Sequence, residues 1–155
     1  MSDLPHYTDY DTRLAAYALV VDDRDRILLA LWNEGDEPRW TLPGGGVELH
    51  ESVEEAVVRE LREETGYDVR VGALRTVDTY VIPAGRRLNG SPRPMKAVRV
   101  LFDATIEGGE LTHEVEGSTD EARWVPLDEA AGLPHVSLVD VALRLVGRPR
   151  RPGRR

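Results

Sequence analysis

Three glutamates, Glu60, Glu63 and Glu64, lie close together in a segment that predicts an α-helix. Residues three and four positions apart lie on one helix face, so the three carboxylates would project side by side. Carboxylates at this density repel one another, and those shielded from water must be protonated, paired or bound to a cation. Ligands made only of oxygen suit a hard divalent ion such as Mg²⁺ or Mn²⁺. The spacing therefore indicates a metal site, and the alternative is a solvated acidic helix end neutralised by Arg59 and Arg62.

The helix has clear start and stop signals. Ser52 and Glu55 form a capping box that places the start near residue 53, and Gly66 is a natural terminator. Apolar residues recur at helical spacing and define the face that packs on a core: Val53, Ala56, Val57 and Leu61. With successive residues about 100° apart, Glu60 and Glu64 fall inside this apolar sector, the third glutamate lies on its edge, and the two arginines point elsewhere. Carboxylates in an apolar sector are costly without compensation, which favours the metal site.

A glycine-rich turn, residues 42–46 (LPGGG), precedes the helix. Glycines let the backbone take positive φ and let a ligand approach the main chain closely. Such a turn can aim carbonyl or N–H groups at an ion or a phosphate, although most runs of this kind are ordinary turns. The turn is therefore informative only in combination with the helix that follows it.

Together, the turn and the helix resemble the Nudix box of the Nudix hydrolase family. The pattern is Gly, five residues, Glu, seven residues, then Arg-Glu-x-x-Glu-Glu-x-Gly, and every fixed position is filled between Gly45 and Gly66. Two softer positions depart, since Tyr67 replaces an aliphatic residue and His50 replaces a frequent glycine, but neither is a metal-ligand position. Two flanking segments also resemble the family: 40–45 (WTLPGG) and 121–127 (EARWVPL).

The resemblance implies an α/β fold, the Nudix-type α/β/α sandwich with a mixed β-sheet between helices. It also implies hydrolysis of a nucleoside diphosphate linked to another group, with Mg²⁺ or Mn²⁺ as the cofactor. The positions that match the family's metal ligands are Glu60, Glu63, Glu64 and the main-chain carbonyl of Gly44. Glu51 and Arg59 match a structural pair in which the arginine orients a carboxylate.

Hydrolysis also needs a carboxylate that takes a proton from the attacking water. Glu60 is one candidate, and the loop candidates are Glu114, Glu116 and Glu121, with Asp120 behind them. The base is not fixed in sequence within the family, so a solvated acidic loop is an equal alternative for the loop residues. We expect Glu121, because the short strand that begins there can be held beside the helix. The catalytic set is then Glu60, Glu64 and Glu121.

Residues that contact the substrate are less clearly marked. Basic side chains that could meet phosphates are Arg13, Arg86, Arg87, Arg93 and Lys96, and rings that could stack on a base are Trp32, Trp40 and Tyr80. Most surface arginines bind no phosphate and most aromatic rings pack in a core, so these predictions are weaker. The residues selected are Arg13, Arg86, Trp40 and Tyr80. Pro83 lies sixteen positions after Tyr67, about where ADP-ribose hydrolases of the family carry a proline.

Three functions remain open on these features. The first is a metal-dependent nucleoside-diphosphate-X hydrolase with ADP-ribose as a candidate substrate, and the second is a (deoxy)nucleoside triphosphate pyrophosphohydrolase. The third is a non-catalytic Nudix domain that senses a nucleotide. The intact carboxylate set argues against the third, since a sensor has no need to keep it.

The remaining pattern predicts the elements that position this site. Apolar runs predict strands at 13–21, 26–32, 40–42, 68–80, 95–106 and 121–125, with a break at Gly72. The first two strands are expected to form a hairpin, residues 82–94 an exposed loop and residues 107–110 a turn. One helical turn is expected at 127–131, and a second helix at 136–146 with Ser137 as its cap. Strands around and after one helix, followed by a terminal helix, predict a mixed sheet between helices.

Composition limits the partners. The 155 residues predict one domain at 1–147, with an N-terminal arm at 1–12 that could be an edge strand or a homodimer contact, and a flexible arginine-rich tail at 148–155. The formal net charge is −8 and only 6 % of residues are aromatic, so a small nucleotide is the expected partner and nucleic acid is not. The chain has no cysteine, which excludes disulfides and thiolate metal sites. It has no long apolar run or signal peptide, so we expect no membrane partner and a cytoplasmic location.

Overall fold

The computed structural model describes residues 4–112 and 119–147. In chain order the strands are β1 Asp11–Leu19, β2 Arg26–Trp32, β3 Arg39–Thr41, β4 Gly44–Gly46, β5 Tyr67–Ile82, β6 Met95–Gly109 and β7 Thr119–Pro126. The helices are α1 Val53–Thr65, α2 Leu127–Ala130 and α3 Ser137–Val146, and a 3₁₀ turn spans Ala84–Arg86. Within the described ranges no helix is long and apolar enough to cross a membrane.

The strands form two sheets. The first has the order β4-β1-β6-β5, in which β1 runs parallel to β6 and the other neighbours are antiparallel. The second is the antiparallel sheet β3-β2-β7. The first sheet is mixed, as predicted, and the second, antiparallel sheet was not predicted.

Both sheets lie in one layer between the two longer helices. On one side, α1 packs on a buried cluster that contains Phe102 of the first sheet and Leu28 of the second. On the other side, α3 packs on a cluster that contains Leu101 and Leu29 of the same two sheets. Neighbouring residues of β2 and β6 thus point to opposite clusters, as the alternation of side chains along a strand requires. The predicted α/β/α sandwich is confirmed.

The predicted hairpin between β1 and β2 is wrong. β1 pairs with β4 and β6, whereas β2 pairs with β3 and β7. The chain just after β1 still touches β2, through a bridge between Val21 and Ile27 and a hydrogen bond from Leu28 N to Val20 O at 3.0 Å. Both strands bury residues on both faces, so their apolar runs do not indicate which strand is the pairing partner.

Three local details also differ from the prediction. Gly72 lies inside a continuous β5, where the register with β6 shifts, and is not a break. Residues 108–109 pair with the start of β5 and do not form a turn. Ser137 opens α3 without capping it, because its hydroxyl accepts hydrogen bonds from Arg99. The loop predicted at 82–94 is confirmed, and it contains the 3₁₀ turn.

Candidate active site

Both ends of α1 are capped as the sequence predicts. Ser52 Oγ accepts a hydrogen bond from Glu55 N at 3.1 Å, and Glu55 Oε1 accepts one from Ser52 N at 3.2 Å. Gly66 ends the helix with a φ of 79° and donates its N–H to Arg62 O at 3.0 Å. The residues that fasten α1 to the sheets are fully buried: Ala56, Val57 and Leu61. This packing fixes the direction in which the glutamates of α1 point.

The three glutamates differ in exposure in the order that their angular positions predict. Glu64 is 3 % exposed, the side chain of Glu60 is 15 % exposed, and that of Glu63 is 49 % exposed. Glu60 and Glu64 therefore belong to the buried sector of α1, and Glu63 lies at its rim. Carboxylates removed from water to this extent need compensating partners.

The main chain of Gly44 and Gly45 lies against both of the more buried carboxylates. Gly44 N donates a hydrogen bond to Glu64 Oε2 at 2.8 Å, and a Cβ placed on Gly45 would lie 2.8 Å from Glu60 Oε1. Gly44 also has a φ of 145°, and a Cβ there would lie 2.3 Å from Ala16 O. Both positions therefore require glycine, Gly45 because Glu60 approaches so closely and Gly44 because of its backbone conformation.

Arg59 ties the carboxylates together. Its guanidinium binds Glu51 through two hydrogen bonds of 2.6 and 3.0 Å. Its Nη1 donates to Glu60 at 3.0 Å and to Glu63 at 3.2 Å, and its Nη2 donates to Gly46 O at 3.1 Å. Arg59 thus orients three carboxylates. It does so although the helical wheel places Arg59 outside the apolar sector that contains Glu60.

The cluster carries excess negative charge. Three carboxylates share the guanidinium of Arg59, those of Glu51, Glu60 and Glu63, and a fourth, that of Glu64, binds the Gly44 amide of the same turn. Arg62 does not neutralise them, because it pairs with Asp68 at 2.7 Å. Within the described ranges no three carboxylate or imidazole side chains are arranged as a preformed set of metal ligands. Arg59 binds Glu60, and the Gly44 amide binds Glu64. An all-oxygen donor set with excess negative charge fits a hard divalent cation, which would take over part of the compensation that Arg59 provides.

The geometry also constrains the protonation of Glu51. Hydrogen bonds from Arg59 and from Glu48 N lower the pKa of Glu51 from 4.5 to about 2. A carboxyl group whose pKa is lower in the folded state stabilises the fold above its unfolded pKa. It loses that contribution as the pH falls through its folded pKa.

We therefore expect Glu51→Gln to be less stable than the parent protein above pH 4.5, with a difference that shrinks as the pH approaches about 2. Thermal unfolding of both proteins across this range measures the difference. Glu54→Gln is the matched control, because Glu54 is exposed on the first turn of the same helix. A stability difference that stayed constant with pH would contradict the role assigned to the Glu51–Arg59 pair.

The strand that carries Glu121 neighbours α1, but the side chain of Glu121 is on the face of that strand that points away from α1. Glu121 is part of β7, and its carboxylate accepts a hydrogen bond from Arg123 Nη2 at 2.7 Å. Side chains alternate along a strand. Trp124 packs on the α1 side and Val125 on the α3 side, so Glu121 shares the α3 face with Val125. Its pairing partner Leu31 also packs on the α3 side. The other loop candidates, Glu114, Glu116 and the side chain of Asp120, lie outside the described residues.

Neither of the selected aromatic residues joins the carboxylates. Trp40 is 6 % exposed and belongs to the core cluster on the α3 side, with the guanidinium of Arg123 at 5.1 Å from its ring centre. It is therefore a core residue and not a platform for a base, which corrects the prediction. Tyr80 is half-exposed on β5, at the opposite edge of the first sheet from β4, and Arg99 lies 5.6 Å from its ring centre.

The two selected arginines, in contrast, come together. Arg13 and Arg86 line a cavity of about 240 Å³ between the start of β1 and the connection from β5 to β6. Arg13 Nη2 also lies 3.6 Å from the position that a Cβ on Gly46 would occupy. The carbonyl of Gly46 is the one that Arg59 binds, so this cavity adjoins the carboxylate cluster. Sequence reasoning did not single out Gly46, and its only signal was its place as the third glycine of the turn.

A larger depression of about 880 Å³ runs along the outer side of α1. The carboxylates in its lining are those of Glu51, Glu54, Glu55, Glu63 and Glu107, and the guanidinium groups are those of Arg59, Arg62 and Arg70. All three of these arginines already have carboxylate partners, since Arg59 binds Glu51, Arg62 binds Asp68 and Arg70 lies 3.7 Å from Glu107. This surface is acidic, so it does not by itself suit a polyanionic substrate.

Comparisons with known proteins agree with this geometry. A family model described as the NUDIX domain matches residues 11–142. The ADP-ribose pyrophosphatase of Methanocaldococcus jannaschii is 36 % identical over 136 residues, which is 87 % of this chain and 73 % of that protein. The crystal structure of a MutT NUDIX hydrolase from Burkholderia pseudomallei superposes with a TM-score of 0.72 at 30 % identity, covering 88 % of this chain and 98 % of that one.

Several other relatives are longer than the matched region. The chain is 34 % identical over 120 residues to the putative mutator protein MutT4 of Mycobacterium tuberculosis, and this match covers 77 % of the chain but 41 % of that protein. In the other leading matches among curated relatives, too, the chain spans less than two thirds of the relative's length.

Proposed function

The chain belongs to the Nudix hydrolase family, and on that premise we propose that it hydrolyses a nucleoside diphosphate linked to another group, cleaving the phosphoanhydride with the help of a divalent metal ion. One observation carries this proposal. Two largely buried carboxylates, those of Glu60 and Glu64, lie against the main chain of Gly44 and Gly45. Two like charges buried at this spacing repel each other, and a bound divalent cation would lower that repulsion.

The proposed cofactor is Mg²⁺ or Mn²⁺. The residues that would hold it are Glu60, Glu63, Glu64 and the main-chain carbonyl of Gly44. A divalent ion at such a site screens the charge of the diphosphate, polarises the phosphoryl group and makes water more acidic. Gly44 N–H keeps Glu64 in place through its hydrogen bond of 2.8 Å, and Arg59 binds both Glu60 and Glu63, of which Glu60 lies against the glycine turn.

We propose Glu60 as the group that takes the proton from the attacking water. It lies in the buried sector of α1, its Oε1 is oriented by Arg59, and its carboxylate lies against Gly45. Glu121, which the sequence favours, is bound by Arg123 on the α3 face of β7, and this placement argues for Glu60 instead. Glu114 and Glu116 remain candidates on the segment outside the described residues.

For the substrate we propose ADP-ribose or a closely related nucleoside diphosphate sugar. The similarity to an ADP-ribose pyrophosphatase over most of both chains supports this choice. Pro83, the position that resembles the ADP-ribose hydrolases, opens the 3₁₀ turn that carries Arg86. The second candidate is a (deoxy)nucleoside triphosphate, which the similarity to MutT-named hydrolases favours.

A nucleotide screen with Mg²⁺ or Mn²⁺ tests this function. ADP-ribose is expected to yield AMP and ribose 5-phosphate faster than any triphosphate yields pyrophosphate, and exhaustive chelation is expected to abolish both activities. A profile led by a triphosphate would reverse the order of the two candidates. Tight nucleotide binding without products under any metal would instead indicate a nucleotide sensor, and activity that survived chelation would overturn the metal assignment.

A further inference from the structure

One end of the first sheet is left exposed on the side where α1 packs. Along β1 and β6, Ala16 and Val100 belong to the buried cluster beneath α1. Leu14 and Val98 lie two positions before them and pair with each other, so the alternation of side chains places both on the same face. Leu14 is nevertheless 41 % exposed, and Val98 is only partly buried. The helix therefore covers the middle of this face and not its end.

The edge strand β5 extends the exposed surface. Val77 pairs with Val100, and Val81 lies four positions further along the same regular register, so both valines point to the α1 side. Leu74 pairs with Phe102 of the buried cluster. The exposed aliphatic residues on this face are Leu14 at 41 %, Leu74 at 56 %, Val77 at 53 % and Val81 at 57 %. Together with Val98 they form a continuous surface on three neighbouring strands, the sheet patch.

The sheet patch is almost free of charge. The other strand residues on this part of the face are Thr12, Thr79 and Lys96, of which only the lysine is charged. The nearby carboxylate of Asp78 points to the opposite face, where it binds Arg99. Charged residues make up 31 % of the chain, so their scarcity here distinguishes the patch from the rest of the surface. A contiguous exposed apolar surface of this kind is typical of an interaction site.

The charge of the chain indicates which partner the sheet patch fits. The formal net charge is −8, and the depression along the outer side of α1 is lined by carboxylates. Two copies that met through such acidic surfaces would bring like charges together, which is unfavourable. Two copies that met through the sheet patch would not. An apolar surface is also complementary to itself, as an interface about a twofold axis requires.

The place of the sheet patch in the fold also leaves room for a second copy. Packed sheets lie about 10 Å apart, in the layer that α1 occupies beside the patch. The patch lies where β1 begins and β5 ends, so a second sheet can cover it up to α1 without overlapping the helix. Most of the patch is on β5 and β6, whereas the glycines beside the carboxylate cluster are on β4 at the opposite edge. The patch is therefore separate from the candidate active site.

We propose that the sheet patch is the centre of a twofold-symmetric interface with a second copy of this chain. The exposed fractions of its four exposed residues leave the area of about two whole aliphatic side chains in water on each copy, and the dimer would remove both areas from water. A standard interface covers about 800 Å² on each partner, so the patch is its apolar core and the polar strand residues beside it belong to the rim. The proposal does not depend on the proposed hydrolysis, and its tests do not measure turnover.

Sedimentation equilibrium over a series of protein concentrations tests the association. The parent protein is expected to reach twice the chain mass of 17.3 kDa. Val77→Lys is expected to raise the dissociation constant of the dimer by about a hundredfold or more, because two ammonium groups would then lie in one apolar interface. Tyr80→Lys is the matched control and is expected to associate like the parent. Tyr80 is half-exposed on the same strand, but it points to the opposite face, where Arg99 lies 5.6 Å from its ring centre.

A milder variant guards against loss of the fold. Val81→Thr keeps the β-branched shape that suits a strand and places one hydroxyl in the interface. It is expected to raise the dissociation constant of the dimer by about tenfold, since a hydroxyl without a partner is costly to remove from water. Circular dichroism of each variant confirms that the monomer is folded.

Disulfide cross-linking locates the interface directly, because the chain has no cysteine of its own. Thr79 lies on the face of the sheet patch, between Val77 and Val81. Under mild oxidation, Thr79→Cys or Val77→Cys is expected to form a linked dimer, since a residue near a twofold axis meets its own copy within the Cα separation of about 4.4–6.8 Å that a disulfide spans. Tyr80→Cys, on the opposite face, is expected to stay monomeric at the same concentration.

Two results would overturn the proposal. A parent protein that stays monomeric at every concentration would show that a second copy does not cover the sheet patch, and would leave that role to a different protein. A dimer that Val77→Lys and Val81→Thr do not weaken, and that Tyr80→Cys cross-links as readily as Thr79→Cys, would place the interface on another surface.

Discussion

Glu64→Gln is expected to lower kcat by about 10³-fold while the fold survives. Glu64 is 3 % exposed, and its Oε2 accepts a hydrogen bond from Gly44 N at 2.8 Å. Glutamine has nearly the same shape, and its amide oxygen can still accept that hydrogen bond, so the substitution removes the charge and turns the other oxygen into an N–H donor. A metal ion contributes several kcal/mol to stabilising a phosphoryl transition state, and about 1.4 kcal/mol corresponds to a factor of ten in rate. Loss of one proposed ligand charge should therefore cost roughly three factors of ten.

The measurement pairs kcat with a thermal melt for the parent, Glu64→Gln and Glu54→Gln. Glu54 lies on the exposed side of the same helix, so its variant controls for the loss of one negative charge from α1. Addition of Mg²⁺ or Mn²⁺ is expected to raise the melting temperature of the parent and of Glu54→Gln, but much less that of Glu64→Gln, because a ligand that binds only the folded state stabilises it. Near-normal turnover by Glu64→Gln would mean that the buried carboxylates are structural.

What could be predicted from sequence is local in character. The capping box of Ser52 and Glu55, the stop at Gly66 and the burial of Glu60 and Glu64 all follow from spacings of three or four residues, and the structure contains each of them. A helix makes its backbone hydrogen bonds within its own segment, so its geometry does not depend on a distant partner. The direction of each side chain therefore follows from the helical period of 3.6 residues alone.

What could not be predicted depends on contacts between distant parts of the chain. Asp11 fell in the predicted arm, yet it binds Arg87 and Arg93 of the connection between β5 and β6, far from it in sequence. The pairing of β1 with β6 instead of β2 is of the same kind. A β-strand makes its backbone hydrogen bonds with another strand. The sequence of a strand can therefore predict that it is a strand, but not which strand it pairs with.

Glu121 illustrates the limit most directly. Its strand was predicted correctly, but its role depends on which face of that strand it occupies. Trp124 packs on the α1 side of the strand and Val125 on the α3 side, and the alternation of side chains then places Glu121 on the α3 side. A shift of one residue in the alternation would have aimed Glu121 at α1. The choice of general base therefore needs an experiment that compares the two glutamates directly.

We expect Glu60→Gln to lower kcat by about 10²–10⁴-fold, the usual contribution of a general base, and Glu121→Gln to lower it by less than about tenfold. Glu60 has a second proposed role as a metal ligand, so the rate of Glu60→Gln must be measured up to saturating Mn²⁺. A lost ligand is expected to be rescued in part by more metal, whereas a lost base is not.

The pH profile separates the two roles of Glu60 further. A general base must be ionised to act, so the acidic limb of kcat for the parent should be absent in Glu60→Gln, whose remaining rate should rise with hydroxide concentration. Full rescue by Mn²⁺ with the acidic limb retained would assign Glu60 to the metal alone. A large loss in Glu121→Gln together with a mild one in Glu60→Gln would restore the choice that the sequence favours, and would require β7 to present Glu121 to the site in the substrate complex. If both variants stayed mild, Glu114→Gln and Glu116→Gln would be the next comparison, because the base would then come from the segment between β6 and β7.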